Sequence, residues 1–97
     1  MSYWIHPEAE EELGQAAQFY ATEASRDVAL AFLVEFERVR DLLIWNQEIG
    51  IGVGQGFRIF HLQKFPYSVI YAGDEAGPQI YAVCHQRRKP GYWKNRA

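Results

Sequence analysis

The chain has 97 residues, 48% hydrophobic and 15% aromatic, which is enough for one domain spanning residues 1–97 with a small core. Its single cysteine excludes an internal disulfide framework and a cysteine-built zinc site. No apolar stretch reaches the roughly 18 residues of a membrane span, and the N-terminus lacks a basic-then-apolar signal, so a soluble cytoplasmic protein without membrane contact is expected. The net charge of −2 is unevenly placed: residues 1–50 carry three Arg against ten acids, and residues 51–97 carry seven Lys or Arg against Asp74 and Glu75. The basic half is the one expected to meet an anionic partner.

In chain order, the aromatic and β-branched run S-Y-W-I-H at 2–6, stopped by Pro7, reads as a strand. Pro7 suits the first helical position, Glu8, Glu10, Glu11 and Glu12 favour the positive end of a helix, and Ala9, Leu13, Ala16 and Tyr20 recur at helical spacing. A helix over 7–24 is therefore expected. T-E-A-S-R-D interrupts it, with Ser25 or Asp27 as the next N-cap. Phe32, Phe36, Val39 and Leu43 mark the inner face of a second helix over 27–45, antiparallel to the first and ended by Asn46 and Gly50.

G-I-G-V-G-Q-G at 50–56 matches no phosphate-binding motif and is expected to be a flexible connector. Strands follow at 57–62, 65–72 and 79–85, joined by short turns as an antiparallel meander. The expected class is α+β with order β-α-α-β-β-β. A helical hairpin packs on one face of a mainly antiparallel four-stranded sheet that includes strand 2–6.

The chemistry-bearing stretch is C-H-Q-R-R-K-P-G-Y-W-K-N-R at 84–96, where five Lys or Arg alternate with Tyr92 and Trp93. Pro90-Gly91 should turn the chain, and Trp93 should fold back onto the sheet or helices. That would present Arg87, Arg88, Lys89 and Tyr92 on one concave face suited to phosphate or carboxylate. Cys84 reads as core, and Tyr67, Tyr71 and Tyr81 as sheet packing. His6, His61 and His85 fall in separate elements, so neither a metal nor a cofactor is expected.

Four segments in order, H-P-E-A-E-E-E-L at 6–13, N-Q-E-I-G at 46–50, K-F-P-Y-S-V-I-Y at 64–71 and H-Q-R-R-K-P-G-Y-W at 85–93, resemble the RelE/ParE superfamily of toxins from bacterial type II toxin–antitoxin modules, the plasmid-stabilisation type. The resemblance implies a cytoplasmic growth inhibitor, neutralised as a hetero-oligomer by an antitoxin whose acidic, initially disordered segment folds on binding. It also implies DNA gyrase or the ribosome and its messenger RNA as target. For the nuclease branch, the matching catalytic candidates are Arg58, His61, His85, Arg87, Arg88 and Tyr92, with Lys64 beside them. Arg58, Lys64, Arg87, Arg88, Lys89 and Tyr92 are the candidates for contact with partner or target. Ribosome-dependent members cluster Lys and Arg where residues 46–57 here hold none, which favours a ParE-like, gyrase-directed toxin over a messenger RNA endoribonuclease or a domain that only binds its partner.

Overall fold

A computed structural model describes residues 2–97. A two-residue strand β1 (Trp4–Ile5) leads into helix α1 (Pro7–Glu23), which is followed at once by helix α2 (Arg26–Trp45). Strands β2 (Ile51–Gly54), β3 (Phe57–His61), β4 (Tyr67–Ala72) and β5 (Gln79–His85) come next, and a short 3-10 helix (Tyr92–Arg96) closes the chain. The strands form one sheet in the order β1-β5-β4-β3-β2, parallel between β1 and β5 and antiparallel elsewhere.

The α+β class and the hairpin on one sheet face are as the sequence implies, but the sheet has five strands, not four. The extra strand is β2, inside the glycine run expected to be a connector. Ile51 pairs with Ile59 and Gly54 with Phe57, leaving Gln55-Gly56 as a two-residue turn with φ of 57° and 85°. Two positive φ values at adjacent central residues are the signature of a tight hairpin whose twist matches its strands. Gly56 supplies the second without steric cost, so the glycines build a hairpin here and not a tether.

Each helix starts on a specific cap. Ser25 accepts the Val28 N–H at 3.2 Å, the role expected of it, and Asn46 is the C-cap of α2. α1 is capped by His6, whose Nδ1 accepts the Glu8 N–H at 3.1 Å ahead of Pro7. Hydroxyls and carboxylates are the commoner N-cap acceptors, but an imidazole serves the same need with its ring nitrogen.

The main core lies between hairpin and sheet. Ala9 and Ala16 of α1 and Phe32, Phe36, Val39 and Leu43 of α2 meet Leu62, Val69, Tyr71, Ile80 and Val83. Small alanines on α1 let the helix approach the sheet closely, and the aromatic residues of α2 fill the remaining depth. Tyr71 is wholly buried because its hydroxyl is satisfied: it donates to Gln47 O at 2.7 Å and accepts Gly50 N–H at 2.9 Å. A Cβ at Gly50 would collide with that ring, so the glycine is required by close approach.

A smaller core covers the opposite, open face. Phe57, Ile70, Ala82 and Cys84 are buried there under Trp93, which is only 7% exposed. A bulge in β5 between the Ala82 and Ile80 pairings turns Tyr81 toward the same cluster, where its ring meets Phe57 and Trp4. Trp93 is the one tryptophan the fold hides. Trp45, at the end of α2, is 76% exposed, and Trp4 is exposed beside it in that respect.

Candidate functional site at the C-terminal basic segment

The strand β5 ends at His85, and the backbone turns through a Gln86 N–H bond to Pro66 O and an Arg88 N–H bond to His85 O. Gly91 takes φ 85°, a left-handed conformation that reverses the chain and starts the 3-10 helix. Trp93 then drops into the open-face core and fixes the segment. The turn at Pro90-Gly91 and the anchoring role of Trp93 are those expected from the sequence.

The organiser of this region is Glu12, read from the sequence only as one of four acids in the first turns of α1. Its side chain is 11% exposed and accepts from four donors. Val83 N–H and Arg96 Nη1 reach Oε1 at 3.0 and 2.9 Å; Tyr92 Oη and Arg96 Nη2 reach Oε2 at 2.8 and 3.0 Å. Arg96, 9% exposed, also donates to Tyr81 O at 2.9 Å and lies 3.4 Å from Glu8. The Glu12–Arg96 pair is a two-bond fork, the strongest geometry available to these groups. It holds the Arg96 guanidinium pKa above its ordinary value, chiefly through the Glu12 hydrogen bonds. Arg96 was absent from the candidate set, and only its position after Trp93 hinted that it would fold back.

This network solves a problem of the sheet. β1 covers β5 only opposite Gln79 and Ile80, so the rest of the β5 edge would be bare. Glu12 takes the outward N–H of Val83 and Arg96 takes the outward C=O of Tyr81, blunting the edge with side chains.

Arg88 stacks over the Tyr92 ring at 3.9 Å and lies 3.5 Å from Glu12, while its side chain stays 54% exposed. It borders three adjoining clefts. Burial, with the Glu12 hydrogen bond second, raises the Tyr92 phenol pKa well above its usual range. The phenol is a fixed donor to a carboxylate, not a mobile proton source. His85 sits between, its ring edge-on to Tyr67 and its Nδ1 accepting Arg87 N–H at 3.0 Å. Arg87 and Lys89 are exposed.

Two candidates stand elsewhere. Arg58 points to the helix side, where its Nη1 donates to Gly50 O at 2.8 Å and Glu48 O at 3.2 Å. Lys64 occupies the β3–β4 turn at φ 68°, bordering a different cleft with Phe65 and Arg38. His61 lies on the open face, hydrogen-bonded through Nδ1 to Ser68 Oγ at 2.6 Å. It borders a cleft of about 200 Å³ with Cys84, Gln86, Arg88 and Trp93, and no carboxylate is among the lining residues. Burial pushes the Cys84 thiol up to about 11, so it is an unreactive core group. Among the described residues, no cluster of His, Cys, Asp and Glu could hold a metal ion, and no helix is long and apolar enough to cross a membrane.

No protein-family model matches the chain, and no curated protein matches it. Among solved structures, the chain is similar to one of the chromosomal ParDE TA system from P. aeruginosa, at a TM-score of 0.75 and 20% identity. The match covers 88% of this chain and 95% of that one. At this identity the likeness establishes the fold: a helical hairpin on a mixed sheet, as in a chain of that toxin–antitoxin system. It is the fold that the RelE/ParE resemblance implied.

Proposed function

We propose that the chain is the toxin of a type II toxin–antitoxin module: a growth inhibitor held inactive by a cognate antitoxin, with DNA gyrase as the favoured target. The observation that carries this reading is the fold match to a ParDE chain over 88% of the chain, with a basic C-terminal segment tied to α1 through the Tyr92 and Arg96 bonds to Glu12. Two features favour gyrase over messenger RNA. Residues 46–57 carry no Lys or Arg, and Arg58, the first cation after them, is spent on two backbone carbonyls. Tyr92, a candidate acid for RNA cleavage, is bound to Glu12 and hard to ionise.

The endoribonuclease reading retains one observation in its favour: the carboxylate-free open-face cleft that His61, His85 and Arg88 share. Two assays on the purified chain separate the two. Inhibition of supercoiling by purified gyrase is expected, with intact messages in a translating extract. Codon-phased cuts in those messages, without effect on supercoiling, would reverse the assignment.

A further inference from the structure

The outer face of α2 is apolar where an amphipathic helix should be polar. Phe32, Phe36, Val39 and Leu43 turn to the core. At 3.6 residues per turn, Leu30, Val34, Asp41 and Trp45 fall within an arc of about 60° on the opposite side. Leu30 is 49% exposed, Val34 63% and Trp45 76%, the greatest exposure among the large apolar residues described. Single exposed apolar side chains are ordinary, but three in line on one helix make a patch.

The two ends of this line differ. At the Val34 end, the helix and the β3–β4 turn enclose a cleft of about 290 Å³, with Ala31, Val34 and Phe65 as its apolar wall and Glu35, Arg38 and Lys64 at its rim. Glu35 is already engaged there: it takes two Arg38 bonds at 2.7 Å and the Gln63 N–H at 2.7 Å. Glu35 and Arg38 cancel in charge, which leaves the rim with the charge of Lys64, exposed and without an ion pair among the described residues. At the Trp45 end the indole protrudes, and Glu37, Arg40 and Asp41 leave an excess of negative charge. The Asp41 side chain is 66% exposed.

We propose that these two ends are the halves of one interface, and that its occupant is a second copy of this chain. The α2 helices pack antiparallel, and each Trp45 fills the cleft of the other copy. A two-fold axis crossing α2 midway between Val34 and Trp45 brings both pairs together at once, because residue i of one copy then meets j of the other and j meets i. The same axis sets Asp41 of each copy opposite Arg38 and beside Lys64 of the other, so the acidic end of each face meets the basic rim. The direction follows from this placement. A parallel pair would stack Trp45 on Trp45 and Lys64 near Lys64, and would leave both clefts empty.

Helical phase agrees. Trp45 leans to the flank of α2 that carries Ala31 and Arg38, which is where the cleft lies, and a two-fold keeps that flank on the same side of both helices. Val34 and Trp45 are about 16 Å apart along the helix, so the pair has two separate anchors with charged residues between them. A tryptophan seated in a pocket, with arginine beside it, is the composition that dominates binding energy at interfaces. The face is turned away from the sheet, so pairing leaves the open-face core and its cleft uncovered. The inference is independent of the toxin reading, since neither gyrase nor an antitoxin enters it.

The test is sedimentation equilibrium of the full chain, 11.2 kDa as a monomer, from micromolar to millimolar concentration. A monomer–dimer equilibrium is expected, with the dimer predominant at the upper end and weakened by salt. Trp45→Glu and Val34→Asp, both at exposed positions outside the core, should each weaken association at least tenfold and leave the folded monomer intact. Asp41→Lys and Lys64→Glu should each weaken it at least threefold, and the two combined in one chain should recover most of that loss. A chain still monomeric at millimolar concentration would overturn the proposal. So would a dimer indifferent to Trp45→Glu, which places its interface elsewhere, or a charge-swapped chain no better than the single variants, which denies the antiparallel register.

Discussion

Replacing Glu12 with Ala is the sharpest perturbation the structure offers. The substitution removes a carboxylate that accepts four hydrogen bonds and leaves Arg96, 9% exposed, with its charge unpaired apart from a 3.4 Å approach to the exposed Glu8. Breaking a buried pair from one side costs about 3–5 kcal/mol, because the remaining charge stays desolvated. The Val83 N–H is orphaned as well, at about 1–3 kcal/mol if no water reaches it. Even the lower figure of about 3 kcal/mol lowers the melting temperature of a domain this size by at least about 12 °C. Glu12→Gln should lose less, since its oxygen can still accept from Val83. The double variant Glu12→Ala/Arg96→Met should recover part of the loss, because the uncompensated charge is gone. Thermal and urea unfolding of the wild type, Glu12→Ala, Arg96→Met and the double variant supplies the cycle. A loss below about 1 kcal/mol for Glu12→Ala, or a double variant as unstable as the sum of the singles, would refute the account of the buried fork.

Trp93→Ala should cost about 3–5 kcal/mol and expose Cys84, so a thiol reagent that leaves the wild type unmodified at pH 8 should label the variant within minutes. Tyr71→Phe should cost about 1–3 kcal/mol by orphaning the Gly50 N–H and Gln47 C=O, with no change in the basic segment. Stability should fall on both sides of neutrality. The Glu35 carboxyl is held low, first by its Arg38 hydrogen bonds, so its contribution is present above the ordinary Glu value of about 4.3 and is lost as pH drops through the lower folded value. The Cys84 thiol and Tyr92 phenol are raised by burial. Their contribution is therefore complete below the ordinary Cys value of about 8.5 and is lost as pH rises, for Cys84 through its folded value of about 11. Unfolding in urea from pH 3 to 11 checks both limbs.

The hairpin was legible in the sequence because Phe32, Phe36, Val39 and Leu43 keep a strict helical period and all four are buried. The strands of the meander were legible for a similar reason, since β-branched and aromatic runs are punctuated by short polar turns. β2 was missed because Gly at every second position erases the apolar alternation that marks a strand, although Gln55-Gly56 carried a hairpin signal in itself. The candidate site was legible in part. Clustering of charge drew attention to Arg88 and Tyr92, which do meet, and the anchoring of Trp93 could be read from its place after Pro90-Gly91. Glu12 could not be found this way: it lies 80 residues from Tyr92 and 84 from Arg96, and nothing local separates it from Glu8, Glu10 and Glu11. Only the geometry of an edge that β1 leaves half covered singles out the acid that faces it.

The most direct measurement is the viable count after tightly controlled induction of the chain alone in a bacterial host. The account predicts a fall of at least tenfold within an hour. The loss should be reduced by Arg87→Ala/Arg88→Ala at equal levels of folded protein and reversed by co-expression of an antitoxin that binds it. Growth indistinguishable from an empty vector, with the folded chain accumulating in the cells, would contradict it.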